Sequence, residues 1–227
     1  MEYMFDCADL AIIRRMAAVY PYTGVTTNPS IFKGQGPVPF FGRLKEIRSV
    51  IGTQRSLHVQ VTAADADGML AEAHAIRRYV DDKVYIKVPV TEEGLAAITR
   101  LKAEGFGVTA TSIYNRVQGF LAIACKADYI APYCNRMAEN DIDFRASIAA
   151  FRQVIDQGAY GTRILAASFH SMEQVNDALL AGADAATVDP ALLHKALTAG
   201  QIVQGVAGFK ADWQAVRGDV RIDQLDR

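Results

Sequence analysis

The chain has 227 residues, of which 51% are hydrophobic and 22% charged, and its formal net charge is -1. This length is ordinary for one α/β barrel and ample for a large core, whereas the near-neutral charge offers no basic surface for nucleic acid or an anionic membrane. The chain has no N-terminal signal pattern and no run of about 18 apolar residues, so we expect neither secretion nor a membrane span.

Three cysteines, Cys7, Cys125 and Cys134, are odd in number and lack Cys-x-x-Cys spacing. This pattern predicts neither a disulfide framework nor a structural zinc site, and a reducing cytoplasm is the expected compartment.

Short apolar strands alternate with amphipathic helices along the chain. The predicted strands are 1–6, 25–27, 56–62, 84–90, 107–111, 128–133, 163–168 and 185–188. The predicted helices that follow them are 8–20, 40–51, 64–80, 91–105, 114–126, 143–157, 171–181 and 190–197. A polar loop is expected after Arg136, and a last helix, 202–217, lies outside the alternation.

Eight strand–helix units predict an α/β fold, a (β/α)8 TIM barrel forming a single domain over 1–227. A doubly wound sheet is the second possibility, but it would need a glycine-rich first turn followed by an acidic residue, and both are missing. The additional C-terminal helix is suited to packing against a neighbouring subunit or to capping the barrel of its own chain.

Lys87 interrupts an otherwise apolar strand, Val84-Tyr85-Ile86-Lys87-Val88-Pro89-Val90. A buried ammonium is costly, and the usual outcome is a lowered pKa and a neutral amine that can form a Schiff base with a ketone. The alternative is that Lys87 reaches water at the strand end or pairs with a carboxylate.

Polar groups end all eight strands, where barrel enzymes hold their active sites. These groups are Asp6, Thr26 with Asn28, Gln60, Lys87, Thr111, Tyr133 with Arg136, Ser168, and Thr187 with Asp189. One or two polar ends would mean only that the chain emerges into water, but eight around a lysine predict a site.

Schiff-base chemistry needs groups that move protons and water. Tyr133, with Gln60 and Thr111, could hold one water and pass protons through it, while Asp6 could take the proton of a substrate hydroxyl as the C–C bond breaks.

An anion pocket is also predicted among these strand ends. Arg136, Ser168 and the start of the helix after Phe169 would together suit a phosphate.

Each residue also has a structural interpretation. Asp6 could cap the following helix, Thr26 and Thr111 could bond the backbone, and Arg136 could be a surface charge. His58 is predicted to face the helices, one position out of register with Gln60. No His/Glu cluster has metal-ligand spacing, so we expect no metal and no cofactor.

Several segments resemble the transaldolase family, most closely its short fructose-6-phosphate aldolase branch. They are Gly24-Val25-Thr26-Thr27-Asn28-Pro29-Ser30, Val84 to Pro89, Thr91-Glu92-Glu93-Gly94-Leu95-Ala96-Ala97, Ala131-Pro132-Tyr133-Cys134-Asn135-Arg136 and Leu165-Ala166-Ala167-Ser168-Phe169. The likeness covers nearly the whole chain to Trp213.

The resemblance implies a class I aldolase on a barrel, an aldehyde-lyase or transaldolase of carbohydrate metabolism that acts on a sugar or sugar phosphate. The site residues that it implies are Lys87 for the Schiff base, Asp6 for the hydroxyl, Gln60, Thr111 and Tyr133 around the catalytic water, and Thr26, Asn28, Arg136 and Ser168 for the substrate. It also implies a ring-type homo-oligomer, such as a decamer, in which the C-terminal helix reaches a neighbour.

Two positions favour the aldolase branch, because transaldolases proper tend to have glutamate at the position of Gln60 and phenylalanine at that of Tyr133. Cys7, His170 and Asp189 depart from the aldolase pattern, and the added carboxylate at Asp189 could favour an uncharged acceptor.

The expected reaction is therefore cleavage or formation of fructose 6-phosphate or a related ketose, with dihydroxyacetone as donor and an aldehyde such as glyceraldehyde 3-phosphate as acceptor. A transaldolase that transfers a dihydroxyacetone unit between sugar phosphates is the alternative within the family. The alternative to an enzyme is a non-catalytic ring protein that binds sugar phosphates.

Overall fold

The computed structural model of the protein describes residues 1–225. Its strands are β1 (Glu2–Asp6), β2 (Gly24–Thr26), β3 (Ser56–Gln60), β4 (Tyr85–Pro89), β5 (Gly107–Ile113), β6 (Tyr129–Pro132), β7 (Arg163–Ala166) and β8 (Ala185–Val188). Its helices are α1 (Leu10–Ala17), α2 (Pro29–Gly34), α3 (Phe40–Ile51), α4 (Ala66–Tyr79), α5 (Glu92–Ala103), α6 (Arg116–Ala124), α7 (Cys134–Ala138), α8 (Phe144–Gln157), α9 (Met172–Leu180), α10 (Pro190–Leu197) and α11 (Gly200–Arg217), followed by a 3-10 turn, Ile222–Gln224.

The eight strands form one closed, all-parallel barrel in chain order, in which β8 pairs with β1. This arrangement confirms the predicted (β/α)8 barrel with an additional C-terminal helix and rules out the open doubly wound sheet. All eight carboxyl strand ends therefore lie at one end of the barrel, where the side chains that follow them converge.

Strand side chains alternate between the helices and the lumen because of the two-residue period of a strand. Ile86 and Val88 of β4 and Val108 of β5 are completely buried and belong to the face that packs on the helices. Met4, Tyr129 and Leu165 pack together with Ala185 across the barrel, with Tyr85 against them. The lumen is thus filled by side chains one layer before the carboxyl ends.

Helix starts follow the sequence signals for N-caps. Asp9, Asn28, Asp65, Thr91, Asn115, Asp143 and Ser171 each accept a hydrogen bond from a backbone N–H in the first turn of their helix. Such a cap stabilises a helix by about 0.5–2 kcal/mol relative to alanine. Asp9, rather than Asp6, caps α1, so the carboxylate of Asp6 is available to the lumen.

The structure differs from the predicted elements after two strands. The additional helix α2 begins at Pro29, after the cap of Asn28, and lies between β2 and α3. The short helix α7 occupies residues 134–138, so the loop expected after Arg136 begins two residues later. β5 runs two residues further than predicted, because its register shifts between Ala110 and Ile113 and Ser112 takes a left-handed φ of 58°.

Ion pairs occupy the opposite, amino-terminal ends of the strands. The carboxylate of Asp128 accepts from the backbone N–H of Val108 at 2.8 Å and from Nζ of Lys102 at 2.6 Å. Asp184 repeats this pattern two strands later with the N–H of Ile164 at 2.7 Å. These contacts join neighbouring strands at the end of the barrel opposite the carboxyl strand ends, where barrel enzymes have their active sites.

The chain forms two compact units, residues 1–190 and the residues from 191 onward. In the second unit the indole N–H of Trp213 donates to the carbonyl of Val220 at 2.8 Å. The side chains of α11 include exposed Ile202, Val203, Val206, Phe209 and Val216. A single domain over 1–227, with 202–217 packed on a neighbouring subunit, stays a prediction.

Among the described residues, none of the helices combines the length and apolar character needed to cross a bilayer.

Candidate active site

Lys87 lies in the interior of the barrel, near the carboxyl end of β4. Only 4% of the residue is exposed, and its Nζ donates a hydrogen bond of 2.9 Å to the backbone carbonyl of Thr27, just after β2. Burial lowers the pKa of Lys87 below its usual value, and the nearby carboxylate of Asp6 opposes that shift. The side chain therefore does not extend to the solvent, and its amine lies in the lumen rather than among the helices. The neutral form of the amine is favoured relative to that of a free lysine.

Asp6 ends β1 beside two buried threonine hydroxyls. Thr26 donates to Oδ1 of Asp6 at 2.6 Å, and its Oγ1 also lies 2.6 Å from that of Thr187. Because Thr26 has one hydroxyl proton, Thr187 must be the donor in the second bond. The chain of two hydroxyls fixes the orientation of the carboxylate.

Burial raises the pKa of Asp6, whereas the charge of Lys87 and the hydrogen bond from Thr26 lower it, and the charge of Asp189 raises it. Asp6 is consequently a stronger base than an exposed aspartate. Such a carboxylate is suited to accept a proton from a substrate hydroxyl.

Tyr133 and Thr111 meet on the other side of Lys87. Oγ1 of Thr111 lies 3.1 Å from the phenolic oxygen of Tyr133 and donates to it, and the ring of Tyr114 contacts that of Tyr133 edge-on. Burial raises the pKa of Tyr133, so its hydroxyl keeps its proton at neutral pH. The register shift at Ser112 lengthens this strand end beside the tyrosine.

Gln60 is the partner of Lys87 in the pairing of β3 with β4. Its Oε1 is buried and accepts no hydrogen bond from any residue in the described range 1–225. A buried acceptor left unpaired costs about 1–3 kcal/mol, so this oxygen is suited to bind a donor from a substrate or a water.

Arg136 and Ser168 come together at the rim through the backbone. The N–H of Asn135 donates to the carbonyl of Ser168 at 2.8 Å, which links α7 to the segment after β7. Ser168 has a left-handed φ of 60°, a conformation that is sparsely populated by non-glycine residues and found most often at functional sites. Nη1 of Arg136 donates to Oε2 of Glu139 at 2.9 Å.

Asn28 has a structural contact in addition to its predicted one. Its Oδ1 accepts from the N–H of Ile31 at 3.0 Å and caps α2. Its Oδ1 can accept a second hydrogen bond and its amide nitrogen can donate two, so either atom is available for the substrate contact that the resemblance implies.

The orientation predicted for His58 is wrong. His58 and Gln60 are two residues apart on one strand, so they share the lumen face. Nδ1 of His58 lies 2.8 Å from Oγ1 of Thr109, and the ring stacks on Tyr85 and meets Tyr129 edge-on. Burial, with the charge of Lys87, lowers the pKa of His58 to about 3, so it is a neutral part of the lumen.

Two contacts at the site were not found by sequence reasoning. The carbonyl that holds Lys87 belongs to Thr27 and is a backbone group, which no side-chain pattern reports. Glu139 was overlooked because its segment was taken for a loop, although an acidic residue three positions after Arg136 is the helical signal for an ion pair. Within residues 1–225, no three His, Cys, Asp or Glu side chains are grouped so that they could hold a metal ion.

A closed parallel barrel whose carboxyl ends gather a buried lysine, a carboxylate and a tyrosine is the arrangement of a barrel enzyme. The chain belongs to the transaldolase/fructose-6-phosphate aldolase family, which matches its residues 3–220. It is 44% identical over 217 residues to the "Probable fructose-6-phosphate aldolase" of Streptococcus pneumoniae (strain ATCC 700669 / Spain 23F-1), covering 96% of this chain and 98% of that protein. The predicted family is therefore confirmed, and the protein is an enzyme of the aldolase and transaldolase type.

Proposed function

We propose that the enzyme is a class I aldolase that cleaves or forms fructose 6-phosphate or a related ketose, with dihydroxyacetone as donor and an aldehyde such as glyceraldehyde 3-phosphate as acceptor. The observation that carries this proposal is the burial of the amine of Lys87 in the lumen, bonded to the carbonyl of Thr27 at 2.9 Å. A desolvated amine of lowered pKa is the nucleophile that a ketone needs for Schiff-base formation.

In cleavage, Nζ of Lys87 attacks the ketone carbon, and the resulting carbinolamine loses water to give an iminium ion. Tyr133 supplies the proton for the departing hydroxyl, and Gln60 and Thr111 hold the water that is released.

Asp6 then takes the proton of the substrate hydroxyl next to the bond that breaks. The aldehyde leaves, and the electron pair moves into the iminium to form an enamine. Asp6 returns the proton that it took, through the water, to the phenolate left on Tyr133, and the Tyr133 hydroxyl then protonates the enamine carbon and restores the iminium. Hydrolysis of that iminium releases dihydroxyacetone and returns the neutral amine. The proton that hydrolysis of the iminium frees restores Tyr133. Thr26 keeps Asp6 oriented through both proton transfers.

Transaldolase activity is the second candidate, because the matched family includes both activities. It differs in the fate of the enamine, which waits for a second aldehyde instead of being protonated. The hydroxyl of Tyr133, which burial keeps protonated, favours the aldolase.

A cytoplasmic location and a ring-type homo-oligomer complete the proposal. The location rests on the three cysteines, which are all free. The oligomer rests on the apolar side chains exposed along α11, Ile202, Val203, Val206, Phe209 and Val216.

Trapping tests the proposal directly. Incubation with dihydroxyacetone and borohydride should add mass to the peptide that contains Lys87, and a coupled assay should detect aldehyde release from fructose 6-phosphate without a second sugar. Lys87→Met should lose both signals, whereas Lys83→Met, which changes a lysine before the same strand, should keep them. Label on another lysine, or saturable sugar binding without turnover, would contradict the aldolase and favour a non-catalytic binding protein.

A further inference from the structure

The guanidinium that the proposed function assigns to a phosphate already has a fixed counter-ion. Oε2 of Glu139 accepts from Arg136 at 2.9 Å, and Oε1 of the same carboxylate accepts from Nδ2 of Asn135 at 2.7 Å. The Asn135 side chain is held in turn, because its Oδ1 accepts from Nε2 of Gln174 at 3.0 Å. Both carboxylate oxygens are thus engaged, and the carboxylate lies at the group that a phosphate would have to reach.

Glu139 keeps its negative charge at neutral pH. The hydrogen bond from Arg136 lowers the pKa of Glu139, and Asn135 and the charge of His170 lower it further. The pair is accessible at the rim, with 61% of the Arg136 side chain and 44% of the Glu139 side chain exposed. A substrate at this position therefore meets a paired cation and anion, with no net positive charge.

Two backbone N–H groups at the start of α9 already have acceptors within the chain. The backbone N–H of His170 donates to Oε1 of Gln174 at 2.7 Å, and the N–H of Gln174 donates to the hydroxyl of Ser171. A second carboxylate, Asp189, follows β8 and acts on Asp6 through its charge. The mouth of the barrel thus carries two carboxylates in addition to the one assigned to catalysis.

Resting on the function proposed above, we propose that the acceptor of this enzyme is an uncharged hydroxyaldehyde rather than a phosphorylated one, and that Glu139 is the residue that sets this preference. A phosphate carries nearly two negative charges and must displace Glu139 from Arg136 or bind beside it. A hydroxyl group can donate to Glu139 and accept from Arg136 at once, so the intact pair fits a neutral polyol.

Glyceraldehyde and glyceraldehyde 3-phosphate form a matched pair of probes, because they differ only in the phosphate. With the full-length enzyme and dihydroxyacetone as donor, we expect kcat/KM for glyceraldehyde to equal or exceed that for the phosphorylated aldehyde. Glu139→Gln keeps an amide that can bond Asn135 and removes the charge. It should raise kcat/KM for glyceraldehyde 3-phosphate by about fivefold through KM, the size expected for one charge–charge contact at about 4 Å in water. The gain should shrink as salt is added.

Glu46→Gln is the matched control. Glu46, whose side chain is 57% exposed, also pairs with an arginine three residues earlier on α3, Arg43, at 3.2 Å, and its replacement changes the net charge equally. It should leave the ratio of the two aldehydes unaltered.

A wild-type preference for the phosphorylated aldehyde would overturn the inference while leaving the aldolase in place. Equal changes for both aldehydes in Glu139→Gln would also overturn it, because they would indicate a structural role for Glu139. Failure of the proposed function looks different: dihydroxyacetone would then not be trapped on Lys87, and neither aldehyde would be used.

Discussion

Removal of the phenolic hydroxyl of Tyr133 tests the division between cleavage and transfer. Tyr133→Phe deletes one oxygen, the partner of Thr111 at 3.1 Å, and leaves the ring and its contact with Tyr114 in place. The substitution therefore removes one proton donor from the lumen and changes the shape of the lumen little. If Tyr133 protonates the enamine, the variant should form the enamine more slowly, because the proton for the departing hydroxyl is also lost, and this slowing is common to cleavage and transfer. It should in addition lose the step that releases free dihydroxyacetone, which affects cleavage alone.

The size of the effect follows from two separate quantities. A positioned general acid contributes a factor of about 10²–10⁴ to its proton transfer, so the ratio of transfer to cleavage should rise at least about 100-fold. The loss of one hydrogen bond, with the Thr111 hydroxyl left unpaired, costs about 1–2 kcal/mol, which corresponds to a fall in Tm of about 3–6 °C. The variant thus stays folded at assay temperature.

The assay compares aldehyde release from fructose 6-phosphate alone with release in the presence of a second aldehyde acceptor. Tyr129→Phe is the control, because it removes a tyrosine hydroxyl from β6, the strand that immediately precedes Tyr133. That hydroxyl accepts from Nη1 of Arg163 at 2.8 Å, away from Lys87. The Tyr129→Phe variant should lose comparable stability and keep the wild-type ratio of transfer to cleavage.

Two results would refute the reasoning. An unchanged ratio in Tyr133→Phe would mean that another group protonates the enamine. An equal change in Tyr129→Phe would mean that the ratio reports loosening of the lumen rather than a proton donor.

The remaining predictions concern stability. Because the pKa of Lys87 is lower in the folded chain, the amine destabilises the fold at neutral pH, and this cost disappears above the unfolded pKa of about 10.4. Lys87→Met should therefore raise Tm at pH 7, with a gain that shrinks toward pH 10 in thermal scans; a lower Tm at pH 7 would contradict it. Gly94→Ala should lower the free energy of unfolding by several kcal/mol, measured by urea denaturation, because the added methyl would overlap the carbonyl oxygen of Pro89. Gly205→Ala, with open space around the position in α11, should instead stabilise by about 0.5–1 kcal/mol, and similar results for both glycines would disprove the packing argument.

The barrel could be predicted from the sequence because its signals are local and repeated. β4 is recognised from the apolar run around Lys87, and α5 begins at the Thr91 cap that the sequence shows. The register shift at Ser112 could not be predicted, since it depends on how β5 meets β6 and no residue in the segment signals it. Helix α7 was missed for a related reason: five residues are too short to display a helical period.

The site could be predicted as a set of strand ends, and less well as a set of contacts. Strand order alone brings Lys87, Asp6 and Tyr133 to one end of a closed barrel, but the partner of each polar atom depends on side-chain geometry. Thr26 was expected to contact either substrate or backbone, and its partner in the structure is the carboxylate of Asp6. The orientation of His58 was predicted wrongly although the sequence was sufficient for it. His58 and Gln60 are two residues apart, and side chains at that spacing on a strand share one face.

The lowered pKa of Lys87 depends on the layer of side chains that lies one step back along the strands. Tyr85 and Tyr129, with His58 between them, fill the lumen on the side of Lys87 that faces the amino-terminal ends. Asp6 and Tyr133 lie instead toward the carboxyl ends of the strands. Desolvation is the larger influence on the pKa of Lys87, so this filled layer, more than any charged neighbour, lowers that pKa and favours the neutral amine relative to a free lysine. The charge that remains nearby belongs to Asp6, and it acts in the opposite direction, so the carboxylate that catalysis requires is placed where it weakens the nucleophile. The filled lumen is what allows the site to tolerate that carboxylate.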